Sequence, residues 1–129
     1  MKKIILILLL LIPLQSHSMK PLDQYFENPD LNTLHYIASR CAAIYNVYGI
    51  IFGSRSDEMK QMTLQGATTF IMKAFELKPE DTKFTTDRVS QLTKEYQKIS
   101  EQNNRNYGTV MKGVIEKDMP TCRVLKDSM

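Results

Sequence analysis

"LHYIASRCAAIYNVYGIIF", residues 34–52, decides the fold class. Leu34, Ile37, Ala38, Cys41, Ile44, Tyr45, Tyr48, Ile51 and Phe52 recur at spacings of three and four, the period of one helix face. The opposite side carries Ser39, Arg40, Ala43 and Asn46 and is light in charge, so this helix is expected to be covered on more than one side. Upstream, Asn28 and Pro29 offer a capping residue followed by a proline at the first helical position. Downstream, Gly53 is placed to end the helix.

After Gly53, "SRSD" at 54–57 reads as Ser54 capping a second helix with Asp57 three residues on. Met59, Met62, Gly66, Ala67, Phe70, Ile71, Ala74, Phe75 and Leu77 form its apolar face, and Lys78–Pro79 stops it. Small Gly66, Ala67 and Ala74 on that face predict close approach of a neighbouring helix. Thr86 and Asp87 offer the next cap, after which Val89, Leu92, Tyr96 and Ile99 repeat at three and four. The polar run "EQNNRNYG", 101–108, either breaks the chain near Asn103–Asn106 or is a solvated turn of one long helix. Val110, Met111, Val114 and Ile115 resume the period to about Asp118, and Pro120 ends or restarts the helix just before Cys122. Residues 19–29, with two prolines and no apolar period, read as an irregular lead-in. The expectation is an all-α domain over residues 19–129, a small antiparallel bundle of three to four helices with a short C-terminal segment.

The first 18 residues read as a secretory signal peptide. "MKK" is a basic start, residues 4–12 are nine large aliphatic side chains, Pro13 breaks the run, and Ser16 and Ser18 stand at the −3 and −1 positions of a cleavage site. The run is well short of the ~20 apolar residues of a spanning helix. Cleavage after Ser18 would leave a periplasmic or secreted chain with no stable membrane insertion. Loss of Lys2 and Lys3 then reduces the 17 basic residues to 15, against 14 acidic ones. The Lys and Arg residues are scattered singly among Asp and Glu, with no basic run, which argues against nucleic-acid binding.

Export also explains the two cysteines. In an oxidising compartment Cys41 and Cys122 are expected to pair, stapling the last segment to the middle of the first helix. Catalytic dithiols usually stand as C-x-x-C, so the pair reads as structural.

The residue types leave little chemistry to build with. His35 is the one histidine beyond the leader and reads as a helix-face residue, short of the three or four ligands of a metal site. Met59, Met62, Met72, Met111 and Met119 fall at apolar helical positions as core filler, with no dense thioether series for Cu(I). Acidic pairs such as Asp57/Glu58 and Glu80/Asp81 sit where helix starts favour negative charge. No nucleophile motif or phosphate-cradling glycine loop is present. The expectation is therefore no catalytic, metal or cofactor site. Tyr45 and Tyr48 read as core aromatics; Tyr36 and Tyr107 stand out as surface anchors for a partner.

"RCAAIY" at 40–45, "ATTFIMKAF" at 67–75 and "IEKDMPTC" at 115–122, behind a signal peptide, resemble a group of small uncharacterised exported helical proteins of Gram-negative bacteria. The likeness covers most of residues 19–129; its marks are the two cysteines, a nearby aromatic and an acidic residue shortly before the last cysteine. The build is also similar to that of periplasmic immunity proteins and acid-activated periplasmic chaperones. The resemblance implies a scaffold and transfers no activity. The functional expectation is binding of a protein partner in the periplasm, as an immunity, inhibitor-type or envelope-stress accessory factor. An acid-responsive chaperone is the alternative, and a small hydrolase or redox enzyme follows behind it.

Overall fold

The computed structural model describes residues 19–129. The signal peptide expected over residues 1–18 lies outside the described residues. Four α-helices follow one 3-10 turn, Leu22–Tyr25: α1 (Leu31–Phe52), α2 (Asp57–Leu77), α3 (Thr82–Tyr107) and α4 (Gly113–Asp127). No strand occurs among the described residues. The bundle expected from the sequence is present, with four helices.

α1 is the central helix and packs against each of the other three. From His35 to Tyr48 every residue but Tyr36 and Asn46 is buried, so the weakly charged second face of this helix is indeed covered. α2 runs antiparallel to it, and Gly66 lies against Tyr45. A Cβ built there would lie 2.3 Å from the Tyr45 ring. Glycine is what lets the two helices approach, and Tyr45 of α1 stacks on Phe70 of α2 at 6.0 Å. Gly66→Ala would gain about 1 kcal/mol of helix propensity. Tyr45 is buried and has nowhere to swing, so a net loss of about 1–3 kcal/mol is expected in a denaturant titration.

The helix starts differ from those expected. α1 is capped by Asp30, whose carboxylate accepts from Thr33 N at 2.8 Å, and Asn28 instead takes a left-handed turn at φ 49°. Ser56, not Ser54, caps α2 through Met59 N at 3.1 Å. Asp81 caps α3 through Phe84 N at 3.0 Å, so α3 begins four residues before Thr86.

The polar run 101–108 stays helical to Tyr107 and stops at Gly108, whose φ of 70° is the left-handed value glycine adopts freely. Asn103 ties the next linker back, donating to the Val110 and Lys112 carbonyls at 3.0 Å each. The C-terminal segment is a full helix that continues through Pro120. Proline removes the N–H that would bond the Glu116 carbonyl, and both residues are exposed, within reach of water. Tertiary anchors hold α4 in place: Asp118 and Cys122, one turn apart, are both buried against α1. Cys41 and Cys122 form the expected disulfide, with a Cα–Cα distance of 5.4 Å.

Candidate functional site

The polar centre of the fold is assembled from α1, α3, α4 and the lead-in. Arg40 is fully buried and pairs with the fully buried Asp118 through its NH2 group. Its Nε donates to the Tyr96 hydroxyl at 2.9 Å, and that hydroxyl donates onward to Asp118 Oδ2 at 2.6 Å. Burial raises the Tyr96 pKa far above the usual phenol value, which keeps this proton available for donation. Asp118 Oδ1 accepts from Leu22 N at 2.8 Å, and Arg40 NH1 donates to the Lys20 carbonyl at 2.5 Å. The lead-in is thus part of the core, with Leu22 fully buried. Among the described residues no buried side-chain nitrogen or oxygen lacks a partner.

Tyr36 links this centre to the surface. Arg40 lies over its ring at 5.6 Å from the inside, and Arg88 of α3 lies over it at 4.9 Å. Burial raises the Tyr36 pKa, so the ring stays a neutral phenol beside two cations. Arg88 also lies over the Phe84 ring at 5.1 Å, and Lys78 reaches the same ring at 4.8 Å. Phe84 is 40% exposed.

His35 is buried behind these groups and stacks on Phe84 at 5.7 Å. Arginine has donors only, so His35 Nδ1 accepts from Arg88 NH1 at 2.9 Å. The ring proton is then on Nε2, which donates to Thr85 Oγ1 at 2.7 Å. His35 is held neutral. Burial, then the charges of Arg88 and Lys78, lower its pKa, with Glu80 opposing. A depressed histidine pKa means that the unfolded chain takes up the proton first. This contribution to stability is present in full above about pH 6.5 and is lost as pH falls below that through the folded value. The His35 ring resonances should therefore titrate with a midpoint below about 6.5, and urea midpoints should fall over the same interval in the wild type but not in His35→Gln.

Tyr36 and Tyr107, both read as partner anchors, do not share a surface. Tyr36 packs beside Arg88, whereas Tyr107 is the last residue of α3, about 28 Å further along at 1.5 Å per residue. Tyr107 is exposed, with Lys112 over its ring at 5.5 Å. Of the methionines, Met119 is buried, Met59, Met62 and Met111 are partly buried, and Met72 is exposed. No three His, Cys, Asp or Glu side chains converge among the described residues. No helix among them is long and apolar enough to cross a membrane.

Sequence reasoning did not identify Arg40, Asp118 or Arg88. One signal was present for the first two: Arg40 precedes Cys41, and Asp118 stands one helical turn before Cys122, so a bridge between the cysteines brings that pair together. Nothing of that kind marks Arg88, which meets His35 and Tyr36 across two helices. No protein family, curated protein or solved structure matches the chain.

Proposed function

We propose that the protein is an exported helical module that acts by binding another protein, in the manner of an immunity, inhibitor-type or envelope-stress accessory factor. The observation that carries this reading is the Arg88 cluster. A half-buried guanidinium rests on Tyr36 and the partly exposed Phe84, the residue types that dominate the energetics of protein interfaces. Export is supported by the sequence of residues 1–18 and fits a disulfide that closes most of the chain. An enzymatic role has less support: the cysteines are bridged, and both nitrogens of His35 are engaged.

The test is capture in the intact cell. Tagged protein is exported, cross-linked with formaldehyde and recovered. A discrete partner is expected with the wild type, with recovery falling about tenfold or more in Phe84→Ala, the loss of an interface anchor. Equal recovery of the same proteins by both forms would defeat the reading.

A second reading, an acid-responsive chaperone, draws on His35. Its protonation turns Nδ1 into a donor and repels the Arg88 that now bonds it. We expect no suppression of client aggregation by the oxidised protein between about pH 4 and 7, because the disulfide joins α1 to α4 whatever the pH and α1 is covered on more than one side. Clear suppression in a light-scattering assay would place the chaperone first.

A further inference from the structure

We infer that Arg88 is an oxyanion anchor whose outer guanidinium edge takes the carboxylate of an Asp or Glu side chain on the protein partner. This rests on the partner-binding reading and adds the chemistry of what is bound.

Three features make Arg88 unlike an ordinary surface arginine. Its orientation is fixed: Tyr36 and Phe84 lie against the guanidinium at 4.9 and 5.1 Å, and His35 Nδ1 holds NH1 at 2.9 Å. Its charge has no internal counter-ion: the ion pairs among the described residues are Arg40–Asp118, Lys73–Glu76 and Lys83–Asp87. Its neighbour Asp87 is thus already engaged by Lys83 at 2.7 Å. Its donors remain available: a guanidinium has five N–H groups, and the one hydrogen bond Arg88 makes among the described residues is to His35. None of its other donors is both buried and unpartnered, and the side chain is partly exposed. A planar, partly exposed fork held by two rings matches a carboxylate bidentately, with little side-chain entropy left to lose on binding.

The surroundings favour a carboxylate on a protein over a phosphate. The first turn of α3, which would otherwise attract an anion, is already occupied by the Asp81 carboxylate. The next cation, Lys78, lies over Phe84, and the acidic Glu80 and Glu95 act on His35 and Tyr36 close by. Those acidic groups repel a dianion more strongly than a singly charged carboxylate. The apolar rim of Phe84 then supplies contact area next to it.

The test uses protein exported from the full chain, with 15N-labelled arginine, and follows the Arg88 Nε–H signal by NMR. The probes are an acetylated tetraglutamate amide, its tetraglutamine counterpart and inorganic phosphate. Tetraglutamate should give a saturable Arg88 shift exceeding those of the exposed Arg105 and Arg123, tetraglutamine none, and phosphate a weaker one. Arg88→Lys should bind tetraglutamate about tenfold more weakly. An equal response to tetraglutamine, equal shifts at Arg105 and Arg123, or a stronger response to phosphate would each overturn the assignment. The in-cell adduct separates this failure from that of the partner reading. An adduct undiminished in Arg88→Lys leaves a partner without the anchor, whereas a specific tetraglutamate response with no adduct leaves the anchor without a protein partner.

Discussion

Asp118→Ala should destabilise the protein by about 3–5 kcal/mol, because it leaves the guanidinium of Arg40 buried without its counter-charge. Typical domains of this size have only about 5–15 kcal/mol in total, so the variant should be close to unfolding at ambient temperature. The loss would be felt in three elements together. Tyr96 of α3 loses its acceptor, α4 loses one of its two anchors, and the Leu22 amide loses its partner. Hydrogen exchange should therefore accelerate at Leu22 before it does in α2, which takes no part in the network. Most of the cost is the orphaned charge and little of it is the pair itself, so Arg40→Met combined with Asp118→Leu should recover much of the stability. A double variant no more stable than Asp118→Ala would show that the pair contributes by itself.

The disulfide is the second large contribution. Cys41→Ala with Cys122→Ala removes a cross-link spanning 81 residues, which in the chain-entropy description amounts to roughly 4–5 kcal/mol, an upper figure for a strain-free bridge. Helical content should persist in water, since the Arg40–Asp118 pair still joins α1 to α4 beside the missing bridge. Circular dichroism in rising urea reads both: an unchanged starting spectrum and an early midpoint. The two contributions share one place in the fold, so their removal should be non-additive, and a cycle combining them should expose the coupling.

That shared place also explains how far the sequence could be read. α1 and the close approach at Gly66 were legible because periodicity and the absence of a Cβ act locally, and the disulfide because the sequence offers only two cysteines to pair. The helix starts were misread because each lies in a run with several capping residues: Asn28 and Asp30, Ser54 and Ser56, Asp81 and Thr86. Which of them caps depends on the path of the preceding loop. Whether the last helix ends or restarts at Pro120 was open in the sequence because proline opposes a helix, and what carries the helix through is the pairing of Asp118 and Cys122 with Arg40 and Cys41 of α1. Leu22 was passed over for a similar reason. Isolated among polar residues, it has no period of its own, and only the pocket beside Asp118 makes it core.

The site follows the same logic. Tyr36 stood out as an aromatic with no obvious place in the core, and it does reach the surface. Its meaning comes from Arg40 within and Arg88 without, contributed by its own helix and by α3. No spacing along one segment encodes that arrangement.

The most direct measurement of the central claim, that the Arg88 end of the bundle receives a protein, is site-specific photo-cross-linking in living cells. A benzophenone amino acid is placed at Phe84 or Leu31 at that end, and at Tyr107 or Val124 as exposed positions elsewhere. A discrete adduct is expected from Phe84 and Leu31, weakened in the Arg88→Lys background and absent from Tyr107 and Val124. Adducts of equal yield from all four positions, or from Tyr107 and Val124 alone, would contradict it.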